Sequence, residues 1–289
     1  MAENYICEHN QGNLDGTCAE KHRLEVSAMS IRADDLFQKG NYNESLKLRE
    51  KIFDLETEIS GTKHPNTIKA LSRLANTLFY LGRYNEALPL QEQVLELGKE
   101  VLGAKNPATL GAMNNLAITF RYLGRYSEAL FLQDKVLELR KEILGANHPS
   151  TIAAMGGLAS ALNACGRYSE ALSLQEQALE WRKEALGAKH PNTIGVMNNY
   201  ADTLNRLGRY NEALPLQEQV LELSKEVLGA KHPGTIGAMG NLAITFHCLD
   251  RYSEALALQE QVLELRKEVL GEKHPDTIGA MNNLAKNFK

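Results

Sequence analysis

The stretch Leu81-Gly82-Arg83-Tyr84-Asn85-Glu86-Ala87-Leu88 decides the fold, because it returns with few changes along most of the chain. Its tyrosine marks a period, since each copy follows the previous one by 42 residues, as Tyr84 follows Tyr42. A fixed period of this size is the sequence signature of a solenoid built from structural repeats. Function is therefore expected on a surface that the repeats share. The other copies begin at Lys39, Leu123, Cys165, Leu207 and Leu249.

The composition of the 289-residue chain argues against several classes of function. The net charge is −4, from 32 basic and 36 acidic residues, so no general attraction to nucleic acid or to an anionic membrane is expected. No run of about 18 apolar residues predicts a transmembrane helix. The polar start, Met1-Ala2-Glu3-Asn4-Tyr5, does not resemble a secretory signal. The four cysteines have no disulfide-framework spacing, so a cytoplasmic location is expected.

Residues 1–22 lack apolar periodicity and are predicted to form a flexible tail, whereas residues 23–289 form the repeat array. The tail contains four residues of the types that bind zinc, and their spacing matches no common zinc finger. A tail without metal is therefore favoured over a zinc site, and no cofactor is predicted. The four residues are Cys7, His9, Cys18 and His22.

Each repeat is predicted to contain two antiparallel helices, for example over residues 66–81 and 85–102. Pro65 and its equivalents suit the first turn of the first helix, and Gly103 and its equivalents suit the end of the second. Asn85, or a serine at the same position, is expected to cap the second helix. The alanine of each Leu-Ala pair, such as Ala117, is expected where the two helices approach closely. An all-α solenoid of six helix pairs and a C-terminal capping helix follows, with thirteen helices.

The Leu-Ala pair, the Gly-x-Tyr turn and the Glu-Ala-Leu helix start resemble the tetratricopeptide repeat. The 42-residue period and the linker over residues 186–193 resemble the long variant found in kinesin light chains. That variant also occurs in arrays attached to nucleotide-binding immune-type receptors of fungi and bacteria. The resemblance implies a right-handed superhelix whose first helices line a concave groove that holds an extended peptide. A kinesin light chain carries a long heptad coiled coil before its repeats, and this sequence shows none, so heavy-chain binding is not implied.

The repeats serve as their own alignment for finding candidate site residues. Core and turn positions barely change between repeats, whereas positions on the opposite face of the first helix change freely. In the family these positions face the groove, and such diversity suits a non-repetitive ligand; the alternative explanation is drift on a solvated surface. The candidate peptide-binding residues are Lys69, Arg73, Asn76, Phe79, Tyr80, Asn114, Asn115, Arg121, Tyr122, Asn163, Asn198, Asn199, Asp202, Asn205, Arg206, Asn241 and His247.

The chemistry of these positions indicates the kind of ligand. An amide both donates and accepts, so paired asparagines such as Asn114 and Asn115 can hold a peptide backbone, or alternatively can bridge neighbouring helices. Cations outnumber the single acid, Asp202, which favours carboxylate groups on the ligand. Phe79 and Tyr80 add flat apolar area. The expected partner is a protein or peptide segment that is acidic and has apolar anchors.

Neither a metal site nor a catalytic group is predicted. Recurring histidines such as His64 and His148 occupy equivalent positions about 10 Å apart, too far to share one ion. The sequence contains no phosphate loop or nucleophile elbow, so no enzymatic activity is expected. Asp202 and Arg206 are spaced as a surface ion pair on one helix.

Three functions remain open from the sequence. The favoured one is a protein-interaction scaffold that binds an extended, acidic segment in its groove. The second is a ligand-sensing or oligomerising array of a signalling protein, with self-association of the chain. The third is an unusual enzyme or small-molecule binder in the groove, using Arg121, Tyr122, Asp202, Arg206 and His247.

Overall fold

The repeat period takes the form of a regular series of α-helices in the computed structural model. The structure describes residues 16–272 and 274–286, and these residues contain thirteen helices and no strand. The all-α class and the predicted number of helices are therefore confirmed. In chain order the helices are α1 Gly16–Gln38, α2 Tyr42–Ser60, α3 Pro65–Tyr80, α4 Tyr84–Val101, α5 Pro107–Tyr122, α6 Tyr126–Leu144, α7 Pro149–Ala164, α8 Tyr168–Leu186, α9 Pro191–Arg206, α10 Tyr210–Val227, α11 Pro233–Cys248, α12 Tyr252–Leu270 and α13 Pro275–Lys286.

The chain divides into two compact units within α6, after Leu132. In the first unit each helix from α1 to α5 contacts the next one in sequence, and α3 also contacts α5. In the second unit the same sequential contacts join α7 to α13, and α9 also contacts α11. Packing of each helix against its sequence neighbours is the packing of a solenoid of helical repeats.

The core of each unit lies where first and second helices meet. The alanines of the Leu-Ala pairs in α3, α5, α7 and α11 are buried there, and Ala159 and Ala243 have no exposed area. Larger apolar side chains on the same helix faces, such as Met155 and Leu242, are also buried. The full burial of these alanines agrees with the close helix approach that was predicted there.

The recurring histidines cap the first helices, a role that the sequence analysis did not assign. Pro191 occupies the first turn of α9, and the extended residue before it is His190. The Nδ1 atom of His190 accepts a hydrogen bond from the backbone N–H of Asn192 at 3.1 Å. Asn106 replaces the histidine before α5, and its side-chain oxygen accepts from the backbone N–H of Ala108 at 2.9 Å. Each cap satisfies an N–H group that the first turn leaves without a helical partner.

The second helices begin earlier than predicted, and the assignment of Asn85 and its equivalents as caps is wrong. Helix α4 begins at Tyr84 and its N-cap residue is Arg83, whose side chain does not cap the helix. The reason lies in Gly82, whose φ of 73° allows the Arg83 N–H to donate a hydrogen bond to the Leu78 carbonyl. The chain reverses direction at this turn, and α4 begins immediately after it. Asn85 therefore lies inside the first turn.

An arginine–glutamate pair marks the start of every second helix from α4 to α12, whereas α2 has Asn41 at the arginine position. The Arg83 Nε atom donates to Glu86 Oε1 at 2.7 Å, across one turn of α4. This hydrogen bond holds the pKa of the Glu86 carboxyl below its usual value. Equivalent pairs occur at the starts of α6, α8, α10 and α12. The pairs are solvent-exposed, so they define the helix start more than they stabilise it.

A threonine in the first turn of a first helix ties it to the end of the preceding second helix. The Thr151 hydroxyl donates to the Gly145 carbonyl at 2.8 Å and lies 3.3 Å from the Arg140 carbonyl. The Thr67 and Thr235 hydroxyls have the equivalent pair of carbonyl partners. Thr109 is the exception, since its hydroxyl has no partner although the residue is only 1% exposed.

The first helix extends into the segment that was predicted to be a tail. Helix α1 begins at Gly16, so residues 16–22 of the predicted tail are helical. The polar composition after Gly16 carries no apolar period, which is why the pattern missed this part of the helix. Residues 1–15 lie outside the described residues, and so do Cys7 and His9 of the disfavoured zinc arrangement.

Two features that the described residues lack bear on the classes of function considered from the sequence. No cluster of three or more histidine, cysteine or acidic side chains there is placed to hold a metal ion. Over the same residues, no helix combines the length and the apolar character needed to span a bilayer.

Candidate functional site

The candidate residues lie on the first helices α3, α5, α7, α9 and α11, away from the buried alanines. We call this surface the first-helix face. Because α3 contacts α5 and α9 contacts α11, the face continues from one repeat to the next within each unit. Lys69, Asn199 and His247 are exposed on it, and Asn76 and Arg121 are half-buried.

Several of the candidate asparagines bridge neighbouring first helices, which was the alternative that the sequence left open. The Asn115 side chain donates to Asn76 Oδ1 at 3.2 Å, which joins α5 to α3. The Asn241 side chain donates to Asn198 Oδ1 at 3.0 Å, which joins α11 to α9. These amides hold the repeats together, so only their remaining polar atoms face a ligand. The same kind of bridge runs from Asn163 to the Thr203 hydroxyl and from Asn205 to the Thr245 hydroxyl.

Two of the cations that were predicted to attract an acidic ligand are already paired. Arg73 Nη1 lies 3.0 Å from Asp34 Oδ2, a carboxylate on α1. Arg206 Nε donates to Asp202 Oδ2 at 2.9 Å, the predicted ion pair, and this bond raises the pKa of Arg206. Lys69 is exposed and forms no ion pair within the described part of the chain. The surplus of positive charge on this face is thus smaller than a count of residue types suggests.

The candidate aromatic residues belong to a larger cluster in the first unit. Tyr80 and Tyr122 end α3 and α5 and are 56% and 55% exposed. Tyr80 stacks on Tyr42 with ring centroids 5.6 Å apart, and Tyr122 stacks on Tyr84 at 5.0 Å. Phe79 lies between them, 5.6 Å from Tyr80 and 5.2 Å from Tyr122. The turn tyrosines, which the sequence analysis used only as markers of the period, therefore hold the exposed rings in place.

A cation joins this cluster in the first unit. The Arg121 guanidinium carbon lies 5.3 Å from the centroid of the Tyr122 ring, within the range of a cation–π contact. In the second unit, His247 contacts the Tyr252 ring at 5.2 Å between centroids, and the equivalent contact in the first unit is the one between Phe79 and Tyr84. Arg121 and His247 occupy the same position in their repeats, so the charge and shape of the side chain at this position change between repeats.

Each unit has a cavity on the first-helix face. The cavity in the first unit has a volume of about 450 Å³, and Lys69, Arg73 and Asn115 line it. The cavity in the second unit has a volume of about 500 Å³. Both volumes fall within the range of small-ligand sites. The candidate residues that line the second cavity are Asn198, Asn241 and His247.

The other candidate residues do not line either cavity. Conversely, both cavities have lining residues that sequence reasoning missed, such as Gly98 and Thr109 in the first unit and Ile244 and Arg266 in the second. Gly98 could have been found, because it is the one glycine at a repeat position that elsewhere carries Glu56, Ser224 or an arginine such as Arg140. The candidates outside the cavities are Asn76, Phe79, Tyr80, Asn114, Arg121, Tyr122, Asn163, Asn199, Asp202, Asn205 and Arg206.

The helix pairs and their sequential packing define a helical-repeat solenoid. Family models described as tetratricopeptide repeat match residues 25–100, 67–142 and 194–268, and a further model with the same description matches residues 151–192. The chain belongs to the tetratricopeptide repeat family. A comparison with curated proteins gives no significant match.

The chain is also similar to solved structures. A kinesin-light-chain-type protein of Podosopora anserina with nearly identical TPR-like repeats is 28% identical, and the match covers 72% of this chain and 98% of that chain with a TM-score of 0.61. This similarity confirms the predicted resemblance to kinesin-light-chain-like repeats.

Two more distant structures show the fold alone. BtubC (BKLC) from P. vanneervenii is 17% identical, and the match covers 82% of this chain and 92% of that chain with a TM-score of 0.60. NprR in complex with its cognate peptide NprX is 15% identical, with 95% of this chain and 80% of that chain covered and a TM-score of 0.62.

Proposed function

We propose that this protein is an interaction scaffold that binds an extended, acidic peptide segment along the first-helix face. The observation that carries the proposal is the composition of the two cavities. Lys69 and Arg73 line the first, and His247 and Arg266 line the second. Neither lining contains an aspartate or a glutamate. A face with side-chain-sized cavities and an excess of donors suits acceptor-rich, anionic segments.

Further support comes from how the face combines constant and variable parts. The asparagine bridges repeat along it and keep polar amide atoms near the surface, which suits the regular backbone of an extended peptide. The exposed rings of Tyr80 and Tyr122 offer contact area for an apolar side chain. Positions such as Arg121 and His247 differ between repeats, so each repeat meets its own part of a non-repetitive ligand.

A selection from a peptide-display library tests the proposal, because the library need not contain the natural partner. Random twelve-residue peptides, about the length that spans several repeats at ~3.3 Å per residue, are selected on the immobilised full chain. Enriched peptides should contain an excess of aspartate and glutamate and at least one large apolar residue. Their binding should weaken as salt rises, because exposed charges are screened. A selection that enriches nothing, or that enriches basic peptides, would show the proposal to be wrong.

A further inference from the structure

The joint between α4 and α5 departs from the other joints at three positions. It has glycine, Gly98, at a position that carries Glu56, Arg140, Arg182, Ser224 or Arg266 in the other repeats, and it has Asn106 where the other repeats have histidine. The third is its threonine, Thr109, whose buried hydroxyl has no partner.

Arginine at the Gly98 position bridges the joint in other repeats. The Arg140 Nη1 atom donates to the Ser150 carbonyl at 2.7 Å, and burial lowers the pKa of that arginine. Arg266 donates in the same way to the Asp276 carbonyl, also at 2.7 Å. At Gly98 the bridging side chain is missing. The space is part of the 450 Å³ cavity, whose lining includes both Gly98 and Thr109.

The cavity combines an apolar floor with a positive electrostatic environment. Ile68 and Val94 form part of the floor, and each is only 5% exposed. Lys69 and Arg73 supply cations, and the first turns of α3 and α5 also line the cavity at Asn66 and Ala108. The Asn66 and Ala108 N–H groups are bonded to the caps His64 and Asn106, so the first turns favour an anion through the positive end of the helix dipole.

We propose that the cavity formed by α3, α4 and α5 binds a small amphiphilic carboxylate. The apolar body of the ligand lies against Ile68 and Val94, and an oxygen of the ligand accepts the hydrogen of the Thr109 hydroxyl. The negative charge lies in the field of Lys69 and the two helix N-termini. This inference goes beyond the peptide-binding function, because it gives the first cavity a small-molecule ligand of its own, which would compete there with an acidic side chain of a peptide.

A titration of the full chain with 4-phenylbutyrate tests the inference. Methyl resonances of Ile68 and Val94 are followed by NMR, with 4-phenylbutan-1-amine as a probe that has the same body and the opposite charge. We expect saturable shifts at these methyls with the carboxylate, and binding of the amine that is weaker by about tenfold or more. Because no peptide is used, failure here leaves the peptide-display result to decide the proposed function separately.

Two variants locate the probe in the cavity. A Cβ atom added at Gly111, which lines the cavity, meets nothing within 4 Å, so Gly111→Leu should fold while its side chain occupies the space. Gly195 is the equivalent glycine in the second unit, is also open, and lines neither cavity, so Gly195→Leu is the matched control. Gly111→Leu should weaken binding by about tenfold or more, and Gly195→Leu should leave it unchanged.

Thr109→Val removes the hydroxyl and keeps the shape, so it provides a second variant if Gly111→Leu does not fold. It should weaken binding of 4-phenylbutyrate by about threefold to tenfold, as expected for loss of one hydrogen bond to a carboxylate. The inference is overturned if the probe does not saturate, if it shifts only methyls of the second unit, or if the amine binds as well as the carboxylate. Equal binding to the parent chain and to Thr109→Val also overturns it.

Discussion

Replacing a buried, hydrogen-bonded threonine by valine is expected to lower stability, but the unpartnered hydroxyl of Thr109 predicts that Thr109→Val will not. Thr151→Val removes a donor that bonds the Gly145 carbonyl at 2.8 Å, so it should lower the free energy of unfolding by about 1–2 kcal/mol. Thr109→Val removes a buried hydroxyl that has no partner, so it should leave stability unchanged or raise it by up to ~1 kcal/mol. Both variants exchange a hydroxyl for a methyl group, so the difference between their changes in the free energy of unfolding measures the contribution of the Thr151 hydrogen bond.

Urea unfolding of each variant, followed by circular dichroism at 222 nm, measures the difference. For a chain of this size, ~1 kcal/mol corresponds to a shift of about 2–4 °C in Tm, which thermal melts resolve as a cross-check. The two compact units are expected to give a broad or two-step transition, so the transitions are compared variant by variant. The reasoning is refuted if Thr109→Val is as destabilising as Thr151→Val, because the Thr109 hydroxyl would then have a partner in solution.

Four further changes test the fold and its electrostatics. Ala159→Leu should lower the free energy of unfolding by about 1–3 kcal/mol through overpacking, and an unchanged Tm would show that the assigned helix contact is wrong. Asp250 has a φ of 59° at a position where other repeats have glycine, so Asp250→Gly should raise stability by about 1 kcal/mol in urea unfolding. His190→Ala should lower stability by about 1 kcal/mol by removing a cap, whereas His190→Asn should be nearly neutral. The hydrogen bond from Arg167 lowers the pKa of Glu170, so the pair stabilises the fold above the unfolded pKa of the glutamate and stops doing so as pH falls through the folded pKa. Arg167→Ala should therefore raise the pKa of the Glu170 carboxyl, as followed by NMR.

The features that the sequence predicted well are those that local chemistry determines. The 42-residue period, the prolines in first turns and the glycines with positive φ, such as Gly103 at 92°, each constrain the backbone by themselves. The burial of Ala159 followed from its place on an apolar helix face. Such signals do not depend on contacts with the neighbouring repeat, so one sequence was enough to define the helices.

The features that it did not predict depend on atoms from two elements. His190 reads as a linker residue until the backbone N–H beside it is in place, and Asn85 reads as a cap until the Gly82 turn shows that the helix starts before it. The candidate cations were counted correctly as residue types, but Arg73 is paired with Asp34 on another helix, which a sequence cannot show. Likewise, only the three-dimensional structure shows that the Thr109 hydroxyl has no hydrogen-bond partner.

The central claim is that the first-helix face recognises an acidic segment, and one pair of variants tests it most directly. Lys69→Glu reverses an exposed charge on that face, and Lys47→Glu makes the same change on α2, a second helix of the same unit. Fluorescence anisotropy with the most enriched acidic peptide from the display selection gives the affinity of each chain. Lys69→Glu should weaken binding by about tenfold or more, and Lys47→Glu should change it by less than about twofold. Unchanged affinity for Lys69→Glu, or an equal loss for Lys47→Glu, would contradict recognition by the first-helix face.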